Sequence, residues 1–235
     1  MNNINDIKNI FYINLEGRPD RKNFFEKQMK IMGFKATRFN AIKNSCGALG
    51  CSLSHLALLK YAKKNDLDHI LIMEDDIMFL KPSVFIQNLN NFLTNHKEFD
   101  VLIISGNNMG EYTRIDENCI KIQKCQTTTG YLVKKHYYDI LIQNFEEGVN
   151  HLMKNINLRS EYAIDQHWCS LQLVDTWYLL TPLTVSQKPD YSDIEKRPIN
   201  YNYVMLDLDK VKLRQMQYIQ EQKKLPHPMS AIIHK

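Results

Sequence analysis

The 235-residue chain has five cysteines, an odd number, and Cys46, Cys51, Cys119, Cys125 and Cys169 form no dense framework. That excludes a disulfide-stapled scaffold and makes reduced thiols the expectation. No second paired knuckle follows Cys46, Cys51 and His55, which argues against a zinc module built on them. No apolar run reaches the length of a membrane span; charge breaks each one. The start, "MNNINDIKNIFYINLEGRPDRK", lacks the ordered basic, apolar and small-residue segments of a secretory signal, so the expected location is cytoplasmic. A large charge of one sign is also missing. The net charge is +4, the sequence pI is about 8.6, and the pairs Lys63-Lys64, Lys134-Lys135 and Lys223-Lys224 lie far apart. This is not the footprint of a nucleic-acid binder; such pairs read as solvated helix faces. There is no internal repeat, low-complexity segment or convincing linker.

What is present is a hydrophobic content of 44%, ample for a core, in strands alternating with amphipathic segments. "NIFYIN" (9–14) reads as a first strand. Residues 20–33 follow as a helix, with Phe25, Met29 and Met32 on one face and Gly33 closing it. "ATRFNAI" reads as a short strand and "NSCGALGCSLSH" as a loop, with Ser52 or Ser54 capping a helix that starts near Leu53. Then come the strand "HILIM" (69–73), a helix around Phe85–Leu93, and the strand "FDVLIIS" (99–105). "CIKIQKC" and "TTGYLV" read as further strands, "KKHYYDILIQNF" as a helix, "YAIDQHWCSLQLV" as a short helix and "TWYLLTPLTVSQ" as a late strand. "KPDYSDIEKRP" reads as a Pro-punctuated loop, and 203–224 as a final helix. The alternation predicts βαβ units, a mainly parallel sheet and a single α/β domain over 1–235, with a core at about 10–195 and an extension at about 196–235. In such sheets ligands bind beyond the carboxyl ends of the strands.

The stretch "HILIMEDDIMFL" (69–80) poses the sharpest question. A buried run ends in Glu74, Asp75 and Asp76, and adjacent carboxylates in an apolar setting are costly. One reading is a site for a hard divalent cation, Mg²⁺ or Mn²⁺, which takes oxygen ligands and binds through one or two carboxylates plus substrate phosphates. The other is a solvated acidic turn capping a helix. An aspartyl nucleophile for phosphotransfer would need a partner lysine and hydroxyl in a recognisable pattern, and none is seen.

"YINLEGRPDRKNFFEKQMKIMGF", "GALGCSLSHLALLKYA", "HILIMEDD", "TTTGYLVKKHYYDIL", "AIDQHW" and "VSQKPDYSDI", in this order, resemble glycosyltransferase family 25, which includes lipooligosaccharide galactosyltransferases and collagen β-galactosyltransferases. The resemblance spans about residues 10–195. It implies a GT-A-like (Rossmann-like) fold and an inverting, metal-dependent hexosyltransferase. Such an enzyme would move galactose or glucose from a UDP-sugar to a hydroxyl on a glycan, such as that of lipopolysaccharide, or on a collagen-like hydroxylysine. It also implies Mn²⁺ (or Mg²⁺) held by Asp76 and Glu74, with Glu74 facing the metal or the ribose and Asp75 pointing the other way. Asn14, Arg18 and Arg21 become candidates for the nucleotide edge, and Gly50, Ser54, His55, Glu74 and Asp75 for donor contacts. Asp165 becomes the candidate general base, with helix capping as its plainer role and Asp190 and Asp193 next in line. Family members often carry Glu where this chain has Ala48, a departure that keeps open a transferase-like module that binds a nucleotide sugar or glycan without turnover. A structural role within a larger glycosylation complex and a homo-oligomer also stay open.

Overall fold

The computed structural model of the chain describes residues 1–192, 194–210 and 215. In order, the first elements are β1 (Ile10–Asn14), α1 (Pro19–Met32), β2 (Thr37–Asn40), α2 (Gly47–Lys64), β3 (His69–Glu74), β4 (Ile77–Phe79), α3 (Pro82–Asn95), β5 (Val101–Asn108) and β6 (Tyr112–Arg114). They are followed by β7 (Cys119–Ile122), β8 (Cys125–Lys134), α4 (Tyr138–Lys154), α5 (Arg159–Tyr162), α6 (Ile164–His167), α7 (Cys169–Gln172), β9 (Trp177–Leu180), β10 (Val185–Gln187), β11 (Asp190–Ser192), β12 (Arg197–Ile199) and α8 (Asn202–Met205).

The central sheet has eight strands in the order β2-β1-β3-β8-β5-β9-β7-β6. β1 runs parallel to β2 and β3. β8 lies antiparallel between β3 and β5, β9 runs parallel to β5, and β7 is antiparallel to both β9 and β6. Strands β1, β2, β3, β5, β6 and β9 therefore share one direction, with β7 and β8 reversed. The carboxyl ends of β1, β3 and β5 consequently lie along one edge.

The apolar run of β3 is continuous because both of its faces are covered, as expected for an interior strand of a sheet flanked by helices. Ile70 and Ile72 pack with Leu56, Leu59 and Ala62 of α2 and Leu141 and Phe145 of α4. Leu71 and Met73 pack on the other face with Phe25 and Met29 of α1 and Phe85 and Leu89 of α3. The ends of α1 are those its sequence dictates. Pro19 occupies the first turn, and Gly33 closes the helix at φ 69°, a left-handed conformation that glycine adopts without steric cost.

Four local expectations change. "NSCGALGCSLSH" is mostly helix, since α2 begins at Gly47 with Cys46 as its N-cap. Ser52 and Ser54 sit inside it and donate to the carbonyls of Ala48 and Gly50, so neither caps. "YAIDQHWCSLQLV" forms the two short helices α6 and α7. "TWYLLTPLTVSQ" divides into β9 and β10 around Pro182, and β10 leaves the main sheet to pair with β4. The Pro-punctuated segment after Gln187 is a hairpin of β11 and β12. The expected helix at 203–224 falls largely outside the described residues.

Candidate active site

Strand alternation sends Glu74 and Asp75 to opposite sides of β3. Glu74, on the α2 side, accepts from Thr128 Oγ1 at 2.7 Å and Gln187 Nε2 at 3.0 Å. Asp75, on the α1 side, accepts from Asn14 Nδ2 at 2.6 Å and Arg21 Nη1 at 3.2 Å. Asp76 accepts from the same Arg21 nitrogen at 2.9 Å. The acids are thus no solvated helix cap. Asp75 and Asp76 are 7% and 8% exposed, and the turn leads into β4. One guanidinium and a set of neutral donors make the crowding tolerable.

The charges are distributed unequally. Burial, followed by the Glu74 charge, pushes the Asp76 carboxyl up to about 8. Burial raises Asp75 too, against the pull of Arg21 and Asn14. Burial would also raise Glu74, but His55, Thr128 and Arg21 outweigh it and hold that carboxyl below the ordinary carboxylate range. Asp165 is raised by burial first, with the Glu74 charge adding to it.

A cleft of about 570 Å³ opens at this edge of the sheet. It brings together Arg18, Arg21, Gly50, Ser54, His55, Glu74, Asp75, Asp76 and Asp165, though they are far apart in sequence. Their roles within it differ. Ser54 accepts from the Ile42 N–H at 2.8 Å while donating to Gly50, so its hydroxyl is committed to the fold. Gly50 permits a close approach, but of the chain itself. A Cβ there would stand 2.7 Å from the Ile42 carbonyl oxygen. Asn14 is buried beneath the acids and also accepts from Arg38 at 2.9 Å. Arg21 donates through its two terminal nitrogens to Asp75, Asp76 and the Tyr191 carbonyl, leaving its buried Nε without a hydrogen-bond partner, while Arg18 pairs with Asp20 and Asp190. Asp165 is not a helix cap: Ala163 precedes α6, and Asp165 Oδ2 accepts from the Thr127 N–H at 3.1 Å. Asp190 lines the cleft; Asp193 lies outside the described residues.

Several participants carried no sequence signal of their role. Thr128 and Gln187 hold Glu74 from β8 and β10, and no spacing predicts either contact. Thr127 has φ 69°, an outlier for a β-branched residue, costing about 1–3 kcal/mol. Strain of this kind concentrates at working sites. Thr127 Oγ1, Asn107 Oδ1, Asp76 Oδ1 and His55 Nε2 are buried polar atoms without a partner, and all four residues line the cleft. Each orphan costs about 1–3 kcal/mol unless something binds it, so their convergence marks a surface built to hold a polar ligand.

The chemistry available is that of a polar cleft with carboxylates of different proton affinity, arginines at the rim and a buried imidazole. No helix among the described residues is long and apolar enough to cross a membrane. No curated protein matches the chain. Likeness to solved structures is slight. A mannose-1-phosphate geranyltransferase from Thermus thermophilus is 10% identical with TM-score 0.39, over 72% of this chain and 58% of that one. A glycosyltransferase involved in glycosylation of the major capsid of PBCV-1 is 10% identical with TM-score 0.41, over 85% and 90%. A Drosophila β-1,4-galactosyltransferase 7 complex with manganese, UDP-Gal and xylobiose is 12% identical with TM-score 0.33, over 56% and 50%. The architecture itself, largely codirectional strands between helical layers with the cleft at their carboxyl ends, is α/β of the GT-A-like class. Residues 44–167, more than half of the sequence, match the family described as glycosyltransferase family 25 (LPS biosynthesis protein), and the chain belongs to that family.

Proposed function

We propose that the protein transfers a hexose, galactose or glucose, from a UDP-sugar to a hydroxyl of a glycan acceptor, with inversion and with a divalent cation at the donor diphosphate. The observation that carries this reading is the cleft at the strand ends, where Asp76 and Asp165 stand with raised proton affinity among unpartnered polar atoms.

Asp76 fits the family's hard cation, Mn²⁺ or Mg²⁺. Its Oδ1 is buried without a partner, and Arg21 alone does not offset the cost of ionising it. Glu74, whose oxygens accept from Thr128 and Gln187, would supply a second carboxylate to that cation. These acids do not form a closed cage of three converging groups, which suits an ion completed by substrate phosphates. When bound, the cation supplies charge stabilisation to the departing UDP.

The remaining work falls to the chain. Arg21 fixes Asp75 and Asp76, and Arg18 adds positive charge at the nucleotide edge. Asn107 and Thr127 offer free oxygen atoms to sugar hydroxyls. Asp165, oriented by the Thr127 N–H, takes the proton of the acceptor hydroxyl as that oxygen attacks the anomeric carbon. A carboxylate whose affinity for protons is raised suits this step at neutral pH. The second reading, a module that binds donor or glycan without turnover, draws on Ala48, where the family often has Glu.

The test is incubation with UDP-galactose and UDP-glucose plus Mn²⁺, scored by released UDP and by mass spectrometry of acceptor mixtures. Release of UDP, slow without acceptor and faster with one, is the expected result. Donor binding without UDP release across acceptors would favour the binding module.

A further inference from the structure

The cleft floor holds a second constellation, of different chemistry from the three acids. Cys51 and His55 are one helical turn apart on α2, spaced i and i+4 on one face, and Glu74 ends the neighbouring β3. Their ligand atoms all lie within 4.8 Å of one another. Cys51 Sγ stands 3.9 Å from Glu74 Oε1, and His55 Nε2 stands 3.7 Å from the same oxygen. Metal bonds of about 2.0–2.3 Å at tetrahedral angles put ligand atoms roughly 3.3–3.8 Å apart, so both contacts of Glu74 are close to ligating distance as they stand.

The independent observation is the histidine. His55 is 1% exposed, and its Nε2 has no hydrogen-bond partner. Its other nitrogen, Nδ1, is 2.8 Å from the buried Tyr131 hydroxyl. A ring fixed through one nitrogen, with the other aimed into a cluster of donors, is how a ligating histidine is oriented. The hydroxyl of Thr128 fixes Glu74 in the same way, at 2.7 Å. Cys51 and Glu74 are both partly exposed to the cleft, which leaves a fourth position open.

We infer that Cys51, His55 and Glu74 form a binding site for a borderline-soft divalent cation, Zn²⁺ above all, with its fourth position facing the cleft. Thiolate and imidazole select such an ion over Mg²⁺ or Mn²⁺. Three protein ligands and one open position are the pattern of a zinc ion that takes an exogenous oxygen ligand, from water or from a carboxylate or phosphate group. Ligation releases the Cys51 thiol proton to solvent. The site shares Glu74 with the donor cleft, but its readout is the spectrum of the bound metal, which does not depend on any transfer activity.

The experiment is titration of the metal-free, reduced full chain with Co²⁺ and then Zn²⁺. Wild type is expected to show a cobalt–thiolate charge-transfer band and tetrahedral ligand-field bands at one equivalent, displaced by Zn²⁺. Cys51→Ser should lose the charge-transfer band, while its far-ultraviolet dichroism matches wild type. Tyr131→Phe should keep the band and weaken Zn²⁺ binding by about 10-fold or more. Asp76→Asn should retain the band, which separates this site from the proposed diphosphate cation. No thiolate band in wild type, or a band that survives Cys51→Ser, overturns the inference.

Discussion

Two clusters in this molecule each combine a cysteine, a histidine and a carboxylate, yet differ in how far the fold satisfies them. Cys51, His55 and Glu74 meet at the cleft, while His96, Asp116 and Cys119 meet at the far end of α3 and the start of β7. In the second cluster every acidic oxygen is used. His96 Nε2 is 2.6 Å from Asp116 Oδ2, and Asp116 Oδ1 accepts from the N–H groups of Asn118 and Cys119 at 2.7 and 2.9 Å. Burial would raise Asp116, but His96 and those two N–H groups outweigh it and hold its carboxyl below the ordinary range. At the cleft, Glu74 is held low in a similar way by His55, Thr128 and Arg21, but the His55 Nε2 has no hydrogen-bond partner and the neighbouring Asp76 and Asp165 are raised. Residue types alone do not make a site. What distinguishes the cleft is polar capacity that the fold leaves unsatisfied, and a satisfied cluster of similar groups is a brace.

The comparison can be broken in graded ways. Asp165→Asn keeps the side-chain shape and the acceptor for Thr127, yet removes the base. Transfer should fall about 10²–10⁴-fold, while donor affinity stays at the wild-type value and the melting temperature is no lower than wild type, since the carboxyl that burial raises is removed; near-normal transfer in a steady-state assay would move the base elsewhere, with Asp190 next. Asp76→Asn should lose most transfer activity through weakened cation binding.

Asp76→Asn also tests the charge argument without metal. The Asp76 carboxyl is raised from 3.8 to about 8, so the folded state binds the extra proton between those values and loses stability as pH rises through them. The melting-temperature difference in favour of Asp76→Asn should therefore widen from about pH 5 to pH 8 and level off above. A difference that is flat or reversed in a pH series would mean that Asp76 is ionised throughout. Gly50→Ala, whose Cβ would stand 2.7 Å from the Ile42 carbonyl, should destabilise by about 1–3 kcal/mol, measurable by urea denaturation. Asp116→Asn, in the satisfied cluster, should cost no more than about 1 kcal/mol and leave transfer unchanged.

How much of this was legible in the sequence follows from the range of each interaction. α1 could be read because Pro19, the Phe25–Met29–Met32 face and Gly33 are all local signals, and β3 because an apolar run with two covered faces has no polar alternation. The acids stood out because of where they follow that run. The start of α2 reads as a loop in sequence because Gly47 and Gly50 resemble helix breakers. Gly50 instead makes room for the Ile42–Asn44 backbone, a contact set by tertiary packing. The partners that decide the acids' charges could not be read, because they come from far along the chain. Arg21 reaches Asp75 across 54 positions, and Thr128 and Gln187 reach Glu74 across 54 and 113. The left-handed conformation of Thr127 has no sequence signature at all, since nothing local favours it.

The central claim is that Asp76, whose buried Oδ1 has no hydrogen-bond partner, takes a cation carried with a nucleotide diphosphate. Its most direct test is calorimetric titration of UDP-galactose or UDP-glucose into wild type and Asp76→Asn, each in Mn²⁺ and in EDTA. The account predicts binding by wild type in Mn²⁺ that is lost in EDTA and sharply weakened in Asp76→Asn. Equal affinity in Mn²⁺ and EDTA, unchanged by the substitution, would contradict it.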